Sequence, residues 1–376
     1  MPPNVIYLDY NRTTPVAVGV IDAMKPYWNS HFLLPDQNHP AAMAIGEAID
    51  LAREQVAGLV GCDPYELVFT SGGTEANNLA ILGGVDADCR GHALISPVEN
   101  DSVVAATDML ARRGWEIETL ACDGDGLVDV DELAARMRPQ TGLVCVQLAN
   151  PYLGTIQPVG QIGRLCRGKN VPLHCDASDA LGKIPVDVSS LRVDTLSINS
   201  HKFFGPKGVG ALYVRRGTTL QPIHHGLPRE MGMRPGSENV PGCIGIGAAA
   251  VMATRCAVEA DAGLKDMRDD LINQLSAAIS PPPIELSIDA PRLPNTVALQ
   301  MDGDIDRIKS AARQIVLTTP QSDQPPDTMT RTLRAIGRTP LEIGRTLSLS
   351  VGWTTTRDEI LRAAEILADA CDTVRR

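Results

Sequence analysis

The chain is poor in aromatic residues, in positive charge and in long apolar runs. Phe, Trp and Tyr make up 3% of its 376 residues, and the formal net charge is −11. That charge, without any block rich in Lys and Arg, argues against a nucleic acid or an anionic membrane surface as partner. No segment approaches 18 uninterrupted apolar residues, and no basic stretch precedes an apolar one at the N-terminus, so we expect a cytoplasmic protein without a membrane span.

Paired cysteines are also lacking. The nine cysteines are scattered, odd in number and without a Cys-x-x-Cys pair. This pattern indicates neither a disulfide framework nor a metal site. The hydrophobic fraction of 44% is enough for a large core. A globular enzyme with small-molecule ligands is therefore the expected class.

Short apolar runs alternate with helical patterns along the first 214 residues. This alternation predicts an α/β fold with a mostly parallel sheet. The predicted strands are 66–70, 92–97, 142–149, 171–175, 195–199 and 210–214, and the predicted helices are about 41–60, 75–84, 102–113, 130–137 and 159–168. Further on we predict a polar helix near 256–279, a strand at 295–301, a helix at 304–314 and a last helix near 356–374.

Two domains are expected from this layout. A Pro-rich turn at 281–283 follows the polar helix and interrupts the pattern. We predict a large domain over 16–255 and a small domain made of 1–15 and 256–376. The segment 317–330 has no clear pattern and is expected to be a loop.

The first candidate for chemistry is the segment SGGTEANN at 71–78. It follows a predicted strand and begins a predicted helix, so its glycines would let the backbone approach an anion at the helix N-terminus. Gly73 and Thr74 are the candidate phosphate-binding residues. A plain capping turn is the alternative at this point.

Two further segments follow the same pattern. Asp176 in HCDASDA comes just after a predicted buried strand, where a carboxylate needs a cation such as a pyridinium, unless it caps the next helix. Lys202 comes after the strand TLSIN, where a desolvated lysine can act as a nucleophile toward an aldehyde, unless it is simply solvated. The three signals together are more specific than each one alone.

With these motifs the sequence resembles the cysteine desulfurase and selenocysteine lyase branch of the class V aminotransferases. The resemblance extends from YLDYNRTTPV through SHKFFGPKGVGALYVRR to MRPGSENVPG. It implies a pyridoxal 5'-phosphate (PLP) enzyme of fold type I, with a seven-stranded sheet, a small C-terminal α+β domain and a homodimer with shared active sites. It further implies a phosphate site at Gly73, Thr74, Asn199, His201 and the neighbouring subunit's copy of Ser237, with Asp176 on the ring nitrogen and Lys202 as the Schiff-base lysine.

The sequence departs from this family where the substrate is handled. No cysteine occurs between Cys256 and Cys371, so the loop that carries the family's catalytic cysteine has none, and a persulfide-forming reaction is not expected. The stacking histidine is replaced by Asn100, and a ring-hydroxyl glutamine by Asp179. The remaining candidates are Asn150 for the cofactor and Arg12, Arg234, Arg345 and Ser348 for the substrate, with Ser348 in place of a carboxylate-binding arginine.

Three hypotheses follow from these departures. The leading one is β-elimination from a small amino acid, such as a cysteine S-conjugate of specialised metabolism, to a thiol, pyruvate and ammonia. The second is decarboxylation coupled to oxidative deamination of the same kind of substrate. The third is a scaffold without enzymatic activity, which we consider weaker because Lys202, Asp176 and the phosphate loop are all retained.

Overall fold

A computed structural model describes residues 4–86, 90–321 and 325–375. The strands are β1 Ile6–Tyr7, β2 Leu67–Thr70, β3 His92–Ile95, β4 Glu116–Thr119, β5 Thr141–Cys145, β6 Leu173–Asp176, β7 Thr195–Asn199, β8 Gly210–Val214, β9 Ile284–Glu285, β10 Thr296–Gln300, β11 Ile315–Val316 and β12 Thr346–Ser350. The helices are α1 Val18–Met24, α2 Pro40–Val60, α3 Gly73–Gly83, α4 Asp101–Arg112, α5 Val130–Arg136, α6 Val159–Gly168, α7 Val188–Leu191, α8 Val240–Ala278, α9 Ile305–Ala311, α10 Thr328–Ala335, α11 Pro340–Ile343 and α12 Arg357–Arg375.

A seven-stranded sheet forms the centre of the molecule. Its strand order is β2-β8-β7-β6-β5-β3-β4. Only β8 runs against its neighbours β2 and β7, and the other pairs are parallel. Because β2, β6 and β7 all run in one direction, their carboxyl ends meet at one edge of the sheet. The predicted α/β fold with a mostly parallel sheet is confirmed.

Burial of both faces explains why these strands were predictable. Every residue of β2, β3, β6 and β8 is buried. Such strands are nearly continuous apolar runs because helices cover both faces of a parallel sheet. The strand β4 was missed since its sequence, Glu-Ile-Glu-Thr, is polar and lies at the sheet edge.

A second, smaller sheet lies in the C-terminal part. Its order is β12-β10-β9, with antiparallel pairs, and α9, α12 and the end of α8 pack on it around a separate apolar core. The strand β1 pairs with β11 in parallel, so the N-terminal residues join this part. The 317–330 segment is not a loop throughout, because α10 begins at Thr328.

The long helix α8 corrects the prediction of a separate polar helix near 256–279. It is one continuous helix from Val240 to Ala278. Its first half contributes Ile246 and Ala250 to the core of the large sheet, and its second half contributes Leu271 and Leu275 to the C-terminal core. The predicted domain boundary at residue 255 therefore falls inside a helix. Among the residues described, none of the helices combines the length and apolarity that a membrane crossing requires.

Candidate active site

The three predicted segments meet at the carboxyl edge of the large sheet. Gly73 begins α3 directly after β2, Asp176 ends β6, and Lys202 lies in a short 3-10 turn, Ser200–Lys202, directly after β7. Since β6 and β7 are hydrogen-bonded neighbours, Asp176 and Lys202 leave the sheet side by side. The edge is the position at which open α/β sheets bind ligands.

The N-terminus of α3 forms a narrow cradle. Gly72 has a φ of 145°, which favours glycine, and a Cβ added to Gly73 would lie 3.1 Å from Ser178 Oγ and 3.2 Å from Asn199 Nδ2. Among the residues described, the buried Ser178 hydroxyl has no hydrogen-bond partner. An unsatisfied hydroxyl beside a helix N-terminus fits an anion such as a phosphate. The sequence did not single out Ser178.

His201 extends the cradle on the side of β7. Its Nε2 lies 3.0 Å from Asn199 Nδ2, and its Nδ1 lies 3.1 Å from Thr13 Oγ1. Burial, followed by the charge of Lys202, lowers the pKa of His201 to about 4. The imidazole is therefore neutral at pH 7, and it contributes hydrogen bonds to the site rather than charge. Thr74 is exposed at the same helix start.

Asp176 is a buried carboxylate held by two donors. Its Oδ1 accepts from the Ser178 backbone N–H at 2.9 Å, and its Oδ2 accepts from Asn77 Nδ2 at 2.8 Å. Burial raises the pKa of Asp176, although the neighbouring Ser178 side chain, the Asn77 amide and the Ser178 backbone N–H lower it. No ion pair to Asp176 occurs within the described ranges. A cationic ring nitrogen would supply the partner that this carboxylate lacks.

Asn77 also links Asp176 to Asn100. Asn77 Nδ2 donates to Ser102 Oγ at 2.8 Å, and Ser102 Oγ lies 3.0 Å from Asn100 Oδ1. Asn100 caps α4, because its Oδ1 also accepts from the Ser102 backbone N–H. Asn100 and Asp176 thus belong to one hydrogen-bonded network.

Lys202 has two close partners at the site. Its Nζ donates to Asp179 Oδ1 at 2.8 Å and to the Asn11 main-chain oxygen at 2.5 Å. The side chains of Lys202 and Asp179 are 11% and 8% exposed, so the pair is largely shielded from solvent. The ion pair holds the Lys202 amine in one position. An Asp at 179, unlike the glutamine expected from the family, makes this contact charged.

A second buried lysine lies close to the first. Lys183 Nζ donates to the Asp179 main-chain oxygen at 2.8 Å. Burial lowers the pKa of Lys183 to about 8, and the negative charge of Asp179 offsets only part of this decrease. Sequence reasoning missed Lys183, although a lysine in the buried stretch LGKIPV was a usable signal. It is the alternative nucleophile at this edge.

The candidate substrate residues are only partly brought together. Arg12 is exposed next to Asn11, and its charge acts on Asp9 and Tyr152. Ser348 is buried, and its hydroxyl donates to the Tyr152 main-chain oxygen at 2.9 Å. The Ser348 hydroxyl therefore already donates its hydrogen bond inside the protein, whereas the Arg12 side chain is exposed to solvent.

The other two arginines lie elsewhere. Arg345 precedes β12 and is roughly 10 Å from Ser348 along the strand, at a rise of about 3.4 Å per residue. Arg234 Nε donates to Glu75 Oε1 at 3.1 Å, beside the start of α3. In the described part of the chain, Arg345 is not among the hydrogen-bond partners of Lys202 Nζ, which are Asp179 and Asn11.

Two further cofactor candidates have different surroundings. Asn150 is fully buried and holds a turn, because its Oδ1 accepts from the backbone N–H groups of Tyr152 and Leu153 while its Nδ2 donates to Thr332 Oγ1 at 3.2 Å. Ser237 is exposed, which is compatible with a contact to a second subunit.

Glu99 is a buried acid that the sequence did not single out. Its Oε1 accepts from the Gln147 backbone N–H at 2.6 Å, while its Oε2 has no partner in the described part of the chain. Burial raises the pKa of Glu99 to about 8. The carboxyl group is therefore largely protonated at pH 7.

The substitution Glu99→Gln should change the pH dependence of stability. Folding raises the pKa of Glu99 from 4.5 to about 8, so the folded state holds this proton more tightly than the unfolded state does. The resulting stabilisation is complete below pH 4.5 and is lost as the pH rises through 8. Relative to the parent, we expect the variant to gain about 1–3 kcal/mol in free energy of unfolding at pH 9 and close to nothing at pH 5. Urea unfolding at both pH values measures this. An equal difference at both pH values, or the same gain in the exposed Glu54→Gln control, contradicts the assignment.

The cysteines of the described residues are poor nucleophiles. Burial raises the thiol pKa of each of the seven, which are Cys62, Cys122, Cys145, Cys166, Cys175, Cys243 and Cys371. A reactive cysteine needs a lowered pKa, because the thiolate is the nucleophile. The described cysteines therefore suit packing rather than sulfur transfer.

The fold and the edge site define an enzyme of the PLP-dependent fold type I class. The sequence profile described as "Aminotransferase class-V" matches residues 6–303. The chain belongs to the class V aminotransferase family, whose members use pyridoxal 5'-phosphate.

Two similar proteins are cysteine desulfurases. The cysteine desulfurase IscS of Dictyoglomus turgidum is 39% identical over 297 residues, 78% of this chain and 74% of that protein. A cysteine desulfurase of Trichormus azollae is 34% identical over 385 residues, 99% of this chain and 94% of that protein.

Solved structures give the same result. A "NifS-like protein" superposes with a TM-score of 0.91 at 27% identity, covering 98% of this chain and all 100% of the other. A structure titled "SspA in complex with cysteine" superposes with a TM-score of 0.80 at 31% identity, covering 92% and 98%. The chain is thus cysteine desulfurase-like, as its sequence predicted.

The residues present fit the family's cofactor. The unsatisfied Ser178 hydroxyl and the close approach at Gly73 suit its phosphate, and the unpaired buried carboxylate of Asp176 suits its ring nitrogen. When bound, PLP supplies an aldehyde for an amine and a ring that accepts electrons released at the adjacent carbon.

Proposed function

We propose that the protein is a PLP-dependent carbon-sulfur lyase acting on an S-substituted cysteine. The observation that carries this proposal is the pairing of a complete cofactor edge, formed by Gly73, Asp176 and Lys202, with a segment from 257 to 370 that has no cysteine. The first feature supports chemistry at the amino acid Cα. The second argues against transfer of sulfur to the protein.

The residues at the edge have distinct parts in this reaction. Gly73, Thr74, Ser178, Asn199 and His201 would hold the phosphate, with Ser237 supplied by a second subunit. Asp176 would pair with the ring nitrogen. Asn100 and Asp179 would contact the ring and its hydroxyl, whereas the side chain of Asn150 is engaged in its own turn and in Thr332.

Lys202 would be the residue that engages the cofactor aldehyde and serves as the base. Its Nζ would take the proton from the substrate Cα. The Cβ–S bond would break, and the sulfur would leave as a thiolate that gains a proton. An S-substituted cysteine and one water thus give the thiol, pyruvate and ammonium, with no oxidant required.

The test uses the purified holoprotein and S-methyl-L-cysteine. Equal amounts of methanethiol and pyruvate are the expected products. Carbon dioxide without pyruvate would reject the lyase in favour of decarboxylation coupled to oxidative deamination, in which Arg12 would face the S-substituent rather than the carboxylate. A protein that binds no PLP would support the scaffold instead.

Arg12 is the residue we propose for the substrate carboxylate. A charge-assisted hydrogen bond contributes about 1.5–3 kcal/mol, so Arg12→Ala should raise KM for S-methyl-L-cysteine roughly 10- to 100-fold with a smaller change in kcat. Steady-state kinetics on pyruvate formation measure the split. Arg313, an exposed arginine whose Nε donates to the Ser310 main-chain oxygen, provides the matched alanine control. An unchanged KM in Arg12→Ala would contradict this role.

We also propose a homodimer with shared active sites. Large apolar side chains are exposed on and around α1 and α2, including Val18 at 76%, Trp28 at 68% and Phe32 at 70%. Leu227 and Met231, which precede Ser237, are 69% and 50% exposed. Exposed apolar groups of this size favour association. Light scattering on the purified protein tests the mass, and a monomer at micromolar concentration would contradict the proposal.

A further inference from the structure

A row of hydrogen-bonded side chains ends on the Asp176 carboxylate. Thr195 Oγ1 lies 2.9 Å from His174 Nδ1, and His174 Nε2 lies 3.0 Å from Asn77 Oδ1. Asn77 Nδ2 in turn lies 2.8 Å from Asp176 Oδ2. We propose that Thr195, His174 and Asn77 are positioning residues that hold this carboxylate toward the ring nitrogen of the cofactor. The inference rests on the proposed cofactor site.

The donors in this row can point in only one direction. An ionised carboxylate only accepts, so Asn77 turns its NH₂ group to Asp176 and its oxygen to His174. His174 Nε2 must then carry the proton, which leaves Nδ1 to accept from the Thr195 hydroxyl. Burial lowers the pKa of His174 to about 3, so the imidazole is neutral as this pattern requires. The hydrogen bonds that link Thr195, His174 and Asn77 therefore all run toward Asp176, while the second N–H of Asn77 donates to Ser102 Oγ.

Strand register and helix geometry create the row. His174 and Thr195 are direct partners in the parallel pair of β6 and β7. His174 and Asp176, two residues apart on β6, lie on the same face of the sheet. Asn77 lies one turn after Gly73 on α3, so one helix meets both the phosphate cradle and the ring-nitrogen carboxylate.

Burial makes the row effective. Asn77, His174 and Thr195 are 0%, 1% and 4% exposed, so water cannot replace a lost partner. The hydrogen bond from Asn77 lowers the pKa of Asp176 against the effect of burial, and thus favours the ionised form that a ring N–H needs. Loss of Asn77 would leave Asp176 Oδ2 and His174 Nε2 without their partners.

The test compares two cofactors in the full-length protein. Dissociation constants are measured by absorbance titration for PLP and for 1-deazapyridoxal phosphate, which has a carbon in place of the ring nitrogen. The variants are Asn77→Leu and the milder Thr195→Val. Asn78→Leu is the matched control on α3, since Asn78 Nδ2 donates to the Thr74 main-chain oxygen. Thr141→Val is the control in the sheet, because His92 Nδ1 and Thr141 Oγ1 form an equivalent pair at 2.9 Å.

The ratio of the two dissociation constants decides the outcome. We expect the parent protein to prefer PLP, Asn77→Leu to reduce that preference about tenfold, Thr195→Val to reduce it less, and both controls to keep it. Equal weakening of both cofactors in Asn77→Leu would mean a merely structural role and overturn the proposal. If Asn77→Leu does not fold, an unchanged ratio in Thr195→Val overturns it. A parent without preference also overturns it, whereas a parent that binds neither cofactor refutes the cofactor site itself.

Discussion

Lys202→Ala should abolish the visible absorbance of the PLP-loaded protein and lower the rate of pyruvate formation by at least ~10⁴-fold. Alanine removes both the amine that binds the aldehyde and the base at Cα. Lys202 Nζ donates to the Asp179 carboxylate and to the Asn11 main-chain oxygen, whereas the nearby Lys183 Nζ donates to the Asp179 main-chain oxygen. Absorbance spectra and a pyruvate assay check the two effects separately.

The control for this variant is Lys183→Met. Lys183 lies at the same edge, is 5% exposed, and has a pKa lowered to about 8 by burial. Methionine keeps its length and apolar stem, so the visible band should remain. A band that survives Lys202→Ala but disappears in Lys183→Met would transfer the Schiff-base role to Lys183.

Asp176→Asn should lower turnover about 100- to 1000-fold while the visible band remains. Asparagine has nearly the same shape but cannot stabilise a protonated ring nitrogen as an ion. Its single oxygen also cannot accept from both Asn77 and Ser178. Asp194→Asn is a matched control, since Asp194 precedes β7 at the other end of the same sheet and pairs with Arg215. Asp194→Asn should affect stability and not turnover, and equal turnover loss in both variants would contradict the role of Asp176.

The sequence predicted which segments form the site because each segment is marked by a local sequence pattern. Lys202, Asp176 and Gly73 each follow an apolar strand, and burial of both faces of the sheet makes such strands recognisable. The shared edge followed from the parallel direction of those strands. The polar edge strand β4 and the single helix α8 were missed, since the first lacks an apolar run and the second changes its packing partner midway.

The side-chain partners of the site could not be predicted in the same way. Asn77 and Asp176 are 99 positions apart, and they meet only because α3 packs against β6. Ser178 is a candidate because its buried hydroxyl has no hydrogen-bond partner among the described residues, and only the folded structure shows this. The positions of the candidate substrate residues depend on where β12 begins. Arg345 precedes this strand, whereas Ser348 lies within it.

The proposed reaction would use the family's fold with a changed site. Gly73, Asp176 and Lys202 are retained, whereas Asn100 and Asp179 change residues that would contact the cofactor ring, and Ser348 changes a residue that would contact the substrate. Asp179 is paired with Lys202 rather than left as a neutral amide contact. Under the proposed function, these changes and the absence of cysteine from 257 to 370 would go with release of a thiol into solution.

The most direct test of the account is to fix the cofactor in place and locate it. The protein is loaded with PLP, reduced with borohydride, digested, and analysed by mass spectrometry. The account predicts one phosphopyridoxyl group per chain on the peptide that contains Lys202. Modification on Lys183 instead, or no modified lysine at all, would contradict it.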